Sequence, residues 1–193
     1  MAMLALFVLS IAVVAAGAVL DCPVAFDVAP ELRERASMAR WTAEAHFVVS
    51  LMNRELRMHG SALLFSVHSV SALDIGLYGT PSATLAAYAS GRPAVACVHL
   101  LLSQRSFSGI IGLAYVDKRC TAQAFAAVFD GASRDTFRQT AFHEILHVVG
   151  LEHAEDDATS VMAPALAWNF GLGDDPSLSI NATRRGCEGA ADR

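Results

Sequence analysis

Charge is scarce in this chain. Only 17% of its 193 residues are Asp, Glu, Lys or Arg, and the formal net charge is −5. No basic stripe is present to meet a phosphate backbone, which excludes nucleic acid as a partner. No long charged tail of the kind that stays disordered is present either. Internal repeats, low-complexity tracts and long Pro/Gly/Ser linkers are missing, so one domain is the simplest organisation at this length. None of the four cysteines, Cys22, Cys97, Cys120 and Cys187, stands in a C-x-x-C pair. A thiolate zinc cluster and a thioredoxin-like redox site are thereby excluded. Beyond the first 20 residues no stretch is long and apolar enough to span a bilayer. Apolar residues nevertheless make up 54% of the chain, above the roughly 45–50% of an average soluble domain. Much of that surplus lies in the first 20 residues.

Residues 3–20 carry no charge, and Ala16 and Ala18 flank Gly17 in an A-x-A pattern. This reads as a secretory signal peptide cut after about residue 18. It divides the chain into a leader, 1–18, and a single domain, 19–193. A basic stretch ahead of the apolar run is missing, and the alternative is an uncleaved membrane anchor over residues 3–20. Only Val19, Leu20 and Asp21 would separate that cut from Cys22, so an inhibitory propeptide is not expected. An even number of cysteines behind a leader implies two disulfides, with three connectivities open. Asn181-Ala182-Thr183 is a glycosylation sequon, usable in a secreted eukaryotic protein. The expected location is therefore extracellular.

Strands are expected over residues 22–28, 61–70, 94–102, 110–116 and 124–129, and helices over 39–59, 83–90 and 135–149. Trp41, Ala45, Val48, Val49, Met52 and Leu56 form one stripe at period 3.6, and Gly60 stands where that helix would stop. Residues 61–70 alternate like a half-buried strand, and 76–82 punctuate the chain with Gly, Pro and Ser. The apolar run 94–102 suits a buried parallel strand. Phe142, Leu146 and Val149 share a face of the last helix, with Gly150 as its stop. Strands alternating with helices in this order imply an α/β sandwich with a mostly parallel sheet. After Gly150 the chain is mainly loop.

The chemistry is concentrated in that last helix. Residues 143–153 run His-Glu-Ile-Leu-His-Val-Val-Gly-Leu-Glu-His, the pattern H-E-x-x-H-x-x-G-x-x-H. His143 and His147, four apart, share one helix face with Cβ atoms about 6 Å apart. Both imidazoles can then reach one metal at about 2.0–2.1 Å. A third ligand requires the chain to leave the helix sharply, and Gly150 tolerates the left-handed conformation that this demands. His153 then turns back to the metal. Three neutral imidazoles leave a fourth position for water, the mark of a catalytic rather than a structural zinc. Glu144 is placed to take a proton from that water and pass it to a leaving amine. His46, His59, His68 and His99 lack spaced partners and read as structural or exposed. Met162 would alone be a core methionine before a turn. Behind this motif it reads as the Met-turn beneath the metal.

With these residues the chain resembles the reprolysin-type metzincin zinc proteases, the adamalysin/ADAM group (peptidase family M12B). Residues 99–120, HLLLSQRSFSGIIGLAYVDKRC, are similar to that family's strand–loop–strand segment. Residues 48–57, VVSLMNRELR, are similar to its first helix. The resemblance implies a five-stranded, mostly parallel twisted sheet, two long helices and a small irregular subdomain after Gly150. It implies a secreted, monomeric zinc metalloendopeptidase that holds one Zn²⁺ and acts on proteins or peptides. It makes residues 110–114 the cleft-edge strand, with Gly112, Leu113 and Ala114 as substrate contacts by backbone pairing. It pairs Cys120 with Cys187, a loop of 67 residues that would contribute about 4 kcal/mol. Cys22 and Cys97 would then lie near the same ends of neighbouring strands, within reach of a bond. The chain departs from the family at Ala154, where aspartate is usual, and in lacking cysteines between His153 and Met162. The run from Gly150 to Pro164 is also similar to matrixins, without their upstream calcium and second-zinc segment. The alternatives are a matrixin-like protease, a catalytically silent peptide-binding or inhibitory homologue, and a membrane-anchored enzyme.

Overall fold

The structure is a computed structural model, and it describes residues 20–61, 63–75, 79–90, 92, 96–105, 107, 109–115, 124–129, 133–148, 151–154 and 160–163. Residues 1–18, read from the sequence as a leader, and Gly150, Cys120, Cys187 and the Asn181 triplet lie outside those residues. The elements in chain order are β1 (Leu20–Val28), α1 (Pro30–Arg33), α2 (Met38–Met58), β2 (Leu63–Ala72), α3 (Pro81–Ala89), β3 (Val98–Ser103), β4 (Gly112–Ala114), β5 (Ala124–Phe129) and α4 (Arg134–Val148). One sheet holds all five strands in the order β2-β1-β3-β5-β4. β1 runs parallel to β2 and β3, and β3 parallel to β5; β4 alone is antiparallel, paired with β5. This is the mostly parallel, five-stranded α/β architecture expected from the sequence.

Both faces of the sheet are covered, as parallel strands require. On one face Val24, Phe26, Val28, Val98, Leu100, Leu102, Ala126 and Val128 pack against the apolar stripes of α2 and α4. On the other, Leu101, Ala127 and Phe129 meet Leu85 and Tyr88 of α3. All six residues of the central strand β3 are buried, which explains its apolar residues Val98 and Leu100–Leu102; His99 and Ser103 are buried polar members. Trp41 of α2 meets Phe137 of α4 edge to face, with ring centroids 5.4 Å apart. Buried Glu44 of α2 accepts hydrogen bonds from Arg134 and Arg138 (the latter 2.7 Å), tying α2 to the first two turns of α4. A second buried carboxylate, Asp27 of β1, accepts from Tyr88 (2.7 Å) and Ser71 (2.6 Å) and pairs with Arg92.

The strand and helix ends differ from the sequence reading in ways that can be explained. Helix α1 was not expected, because four residues opened by Pro30 show no full turn of periodicity. Pro81 and Ser82, read as punctuation, are instead the first turn of α3, with Thr80 as its N-cap. Within 110–115, the described part of the strand expected over 110–116, Gly112–Ala114 is strand. Ile110 bridges back to Phe107 around Gly109, whose φ is +89°, so the apolar pair 110–111 leaves a turn rather than extending a strand. α2 ends as read, with Gly60 at φ +73° and the Ser61 N–H bonded to the Leu56 carbonyl at 2.9 Å. Cys22 and Cys97 are joined by a disulfide that ties β1 to the entry of β3. No helix of the described residues is long and apolar enough to cross a membrane.

The two sheet edges are treated differently. On β2 the carboxamide of Asn53, from α2, accepts from the Phe65 N–H and donates to the Phe65 carbonyl, both at 2.8 Å. Asn53 thus takes the place of a neighbouring strand. On β4, Ile111 and Tyr115 direct their backbone bonds to β5. By alternation along the strand, Gly112 and Ala114 turn their N–H and C=O groups outward. No described strand pairs with that side.

Candidate metal centre

Helix α4 presents His143 and His147 one turn apart, and the chain beyond it returns His153 to the same point. The ligand atoms of the three imidazoles all lie within 4.8 Å of one another. The ring centroids are 4.4 to 5.2 Å apart. The Leu151 N–H reaches back to the Leu146 carbonyl at 3.1 Å, the kind of bond that closes a helix before a sharp change of direction. His46, His59 and His68 are exposed, and His99 is buried in β3 against the Phe125 ring. Among the described residues no other group of histidine, cysteine and acidic side chains converges in this way.

Backbone carbonyls fix how the two helical imidazoles face. His143 Nδ1 lies 2.7 Å from the Val161 carbonyl, and His147 Nδ1 lies 2.6 Å from the Leu151 carbonyl. A carbonyl only accepts, so each Nδ1 must carry the proton and each Nε2 presents a lone pair. Those two Nε2 atoms are 2.9 Å apart. Two lone pairs at that distance repel unless a cation sits against them. Protonation is a poor answer, because burial pushes the His143 imidazole down to about 4. Burial lowers His147 as well. Two fixed neutral Nε2 donors plus a third imidazole fit a divalent metal that favours nitrogen. Tetrahedral coordination at 2.0–2.1 Å asks for nitrogens about 3.3 Å apart, a small adjustment for rings already this close.

Met162 is fully buried. Its turn is pinned: the Ala154 N–H donates to the Met162 carbonyl at 2.9 Å, and Ser160 Oγ accepts from the Met162 N–H at 3.1 Å. The same turn supplies the Val161 carbonyl that orients His143. Ala154, the position where the family pattern has aspartate, is buried and holds this turn through its main chain alone.

A cleft of about 330 Å³ opens over the histidines. Gly112, Leu113 and Ala114 of β4 form one wall, and His143, Glu144, His147, Glu152 and His153 form the rest. All the residues expected to contact metal or substrate therefore meet in one place. Leu113 packs its side chain toward the α3 face of the sheet and Ala114 toward α4, so β4 offers the cleft chiefly its backbone edge. Glu144 is only 6% exposed, and burial raises its carboxyl to about 8. Three features were not readable from the sequence: the Val161 and Leu151 carbonyls, the contact of Glu144 with β4, and Glu152 in the lining. The first has no side-chain signal at all, since any residue carries a carbonyl.

Residues 81–154 match the family model for reprolysin-like proteins of metallopeptidase family M12B. No curated protein matches the chain. A solved structure titled "Structure of a chaperone-substrate complex" contains a chain that superposes with a TM-score of 0.64 at 13% sequence identity. The match covers 89% of the present chain and 38% of that one. The present chain thus spans well under half the length of its structural neighbour, and the likeness is one of fold.

Proposed function

We propose that the chain, whose residues 81–154 match the reprolysin-like M12B family model, is a secreted zinc endopeptidase with His143, His147 and His153 as ligands and Glu144 as catalytic base. The observation that carries this reading is the convergence of three imidazoles, two of them locked as neutral donors, beside a buried carboxylate in an open cleft. Bound there, zinc supplies a Lewis acid that polarises the scissile carbonyl and acidifies a water. The remaining steps belong to the chain. The outward N–H and C=O groups of Gly112 and Ala114 pair with an extended peptide and lay its scissile bond across the histidines. Glu144 accepts a proton from the attacking water. In its ionised form, which the positive charge of a bound metal would favour against burial, the carboxylate takes that proton and passes it to the leaving amine. Met162 and the 160–163 turn keep His143 aimed.

The Cys22–Cys97 bond supports an oxidising compartment, and the apolar leader supports export with cleavage near residue 18. N-terminal sequencing of the exported protein tests that cut. Activity is tested by measuring metal content and peptide hydrolysis side by side. Glu144→Gln keeps about one zinc per chain and loses at least 10²–10⁴-fold in kcat. A Glu144→Gln protein that hydrolyses peptides as fast as the unaltered one overturns the mechanism. A folded, metal-loaded, unaltered protein that cleaves no bond in a broad peptide library overturns the assignment in favour of a silent peptide-binding homologue.

A further inference from the structure

Gly112 is unlike the other described glycines. Gly79 has open space where a Cβ would go, and Gly60 and Gly109 adopt positive φ, which explains them by conformation. Gly112 does not, so its backbone would accept any residue. What it lacks is space. A Cβ built on Gly112 falls 2.7 Å from both Cγ and Cδ of Glu144 and closer still to Oε1. Carbon atoms do not approach below about 3.4 Å without strain. The collision is also not with the flexible tip alone, because Cγ is one bond from the Glu144 Cβ on α4. Moving it means changing the rotamer of the whole side chain.

We infer that Gly112 is a positioning residue for Glu144: the bare backbone at the start of β4 is the surface against which the catalytic carboxylate lies. This rests on the proposed role of Glu144 for its effect on activity, but the contact itself does not. The strand that would carry the substrate and the helix that carries the base meet at this one point. A side chain at 112 displaces Glu144 from the space between β4 and α4, and the water it should deprotonate is then out of its reach. Displacement of a catalytic group by about 1 Å costs on the order of 10²-fold in rate.

A double-mutant cycle on the full chain separates this role from a general need for glycine at a strand edge. Gly112→Ala alone is expected to lower kcat by about 10²-fold with little change in KM, to keep one zinc, and to lower Tm by about 3–6 °C as an overpacked site. In a Glu144→Ala background, where the obstructing atoms are gone, Gly112→Ala should leave Tm within about 1 °C of its parent. A single variant that fails to fold beside a double variant that folds carries the same conclusion. An equal loss of Tm in both backgrounds, failure of both to fold, or wild-type kcat in Gly112→Ala overturns the inference. Because the thermal cycle needs no substrate, it stands even if the unaltered protein proves to cut nothing. Failure of the peptidase reading is thereby told apart from failure of this one.

Discussion

Two kinds of buried titratable group share the metal centre, and they pull stability in opposite directions. Burial holds His143 at about 4, below its ordinary 6.5. Its contribution is present above 6.5 and is lost as pH falls through about 4. His147, lowered for the same reason, adds to that acid-side loss. Glu144 is the reverse case, raised from 4.5 to about 8. The protonated carboxyl suits its site, so its contribution is full below 4.5 and is lost as pH rises through about 8. The metal-free protein should therefore be most stable near pH 6.5. Between there and pH 8 it should lose about 2 kcal/mol, or roughly 4–8 °C in Tm for a chain of this size. Glu144→Gln should abolish the alkaline loss and leave the acid limb intact. Melting curves of chelator-treated protein from pH 4 to 8 check this, and an alkaline limb unchanged by the substitution would contradict the burial of Glu144.

Much of the site was readable because α4 encodes it locally. A four-residue spacing on one helix dictates that His143 and His147 share a face, and no tertiary information is needed for that step. The existence of the central strand β3 was also readable from the apolar run Leu100–Leu102, buried in the sheet, although the strand is Val98–Ser103 rather than 94–102. What could not be read depends on contacts between elements far apart in the chain. The Val161 carbonyl reaches His143 across 18 residues, and Gly112 touches Glu144 across the gap between β4 and α4. The role of Asn53 belongs to the same class. On the stripe of α2 it is only a half-buried polar residue, yet its carboxamide satisfies both backbone groups of Phe65. Asn53→Ala should cost about 1–2 kcal/mol by leaving those two groups to compete for water. Faster amide hydrogen exchange at Phe65, with the centre of β3 unchanged, is the expected signature.

For the molecule as a whole, the long-range tie that can be tested directly is the Cys22–Cys97 bond. It closes 75 residues of chain, which include α2, β2 and α3. Removing that constraint from the unfolded state should cost about 4 kcal/mol by chain entropy, or about 10 °C in Tm. The double substitution Cys22→Ser with Cys97→Ser checks this by calorimetry. Because the bond lies at the opposite end of β1 from the α1 junction and outside the cleft lining, zinc content should be unaffected while the protein remains folded. A Tm within about 2 °C of the unaltered protein would show that the sheet holds β1 and β3 together without help.

The unequal rims of the sheet limit how copies of this chain can associate. An open-ended stack needs a donor rim and an acceptor rim on every subunit, so that each copy adds to the last. Here Asn53 occupies both outward groups of Phe65 on the β2 rim, while the short rim at β4 pairs with no described strand. Strand pairing between two copies at β4 would join like rims face to face, a contact that closes at a pair.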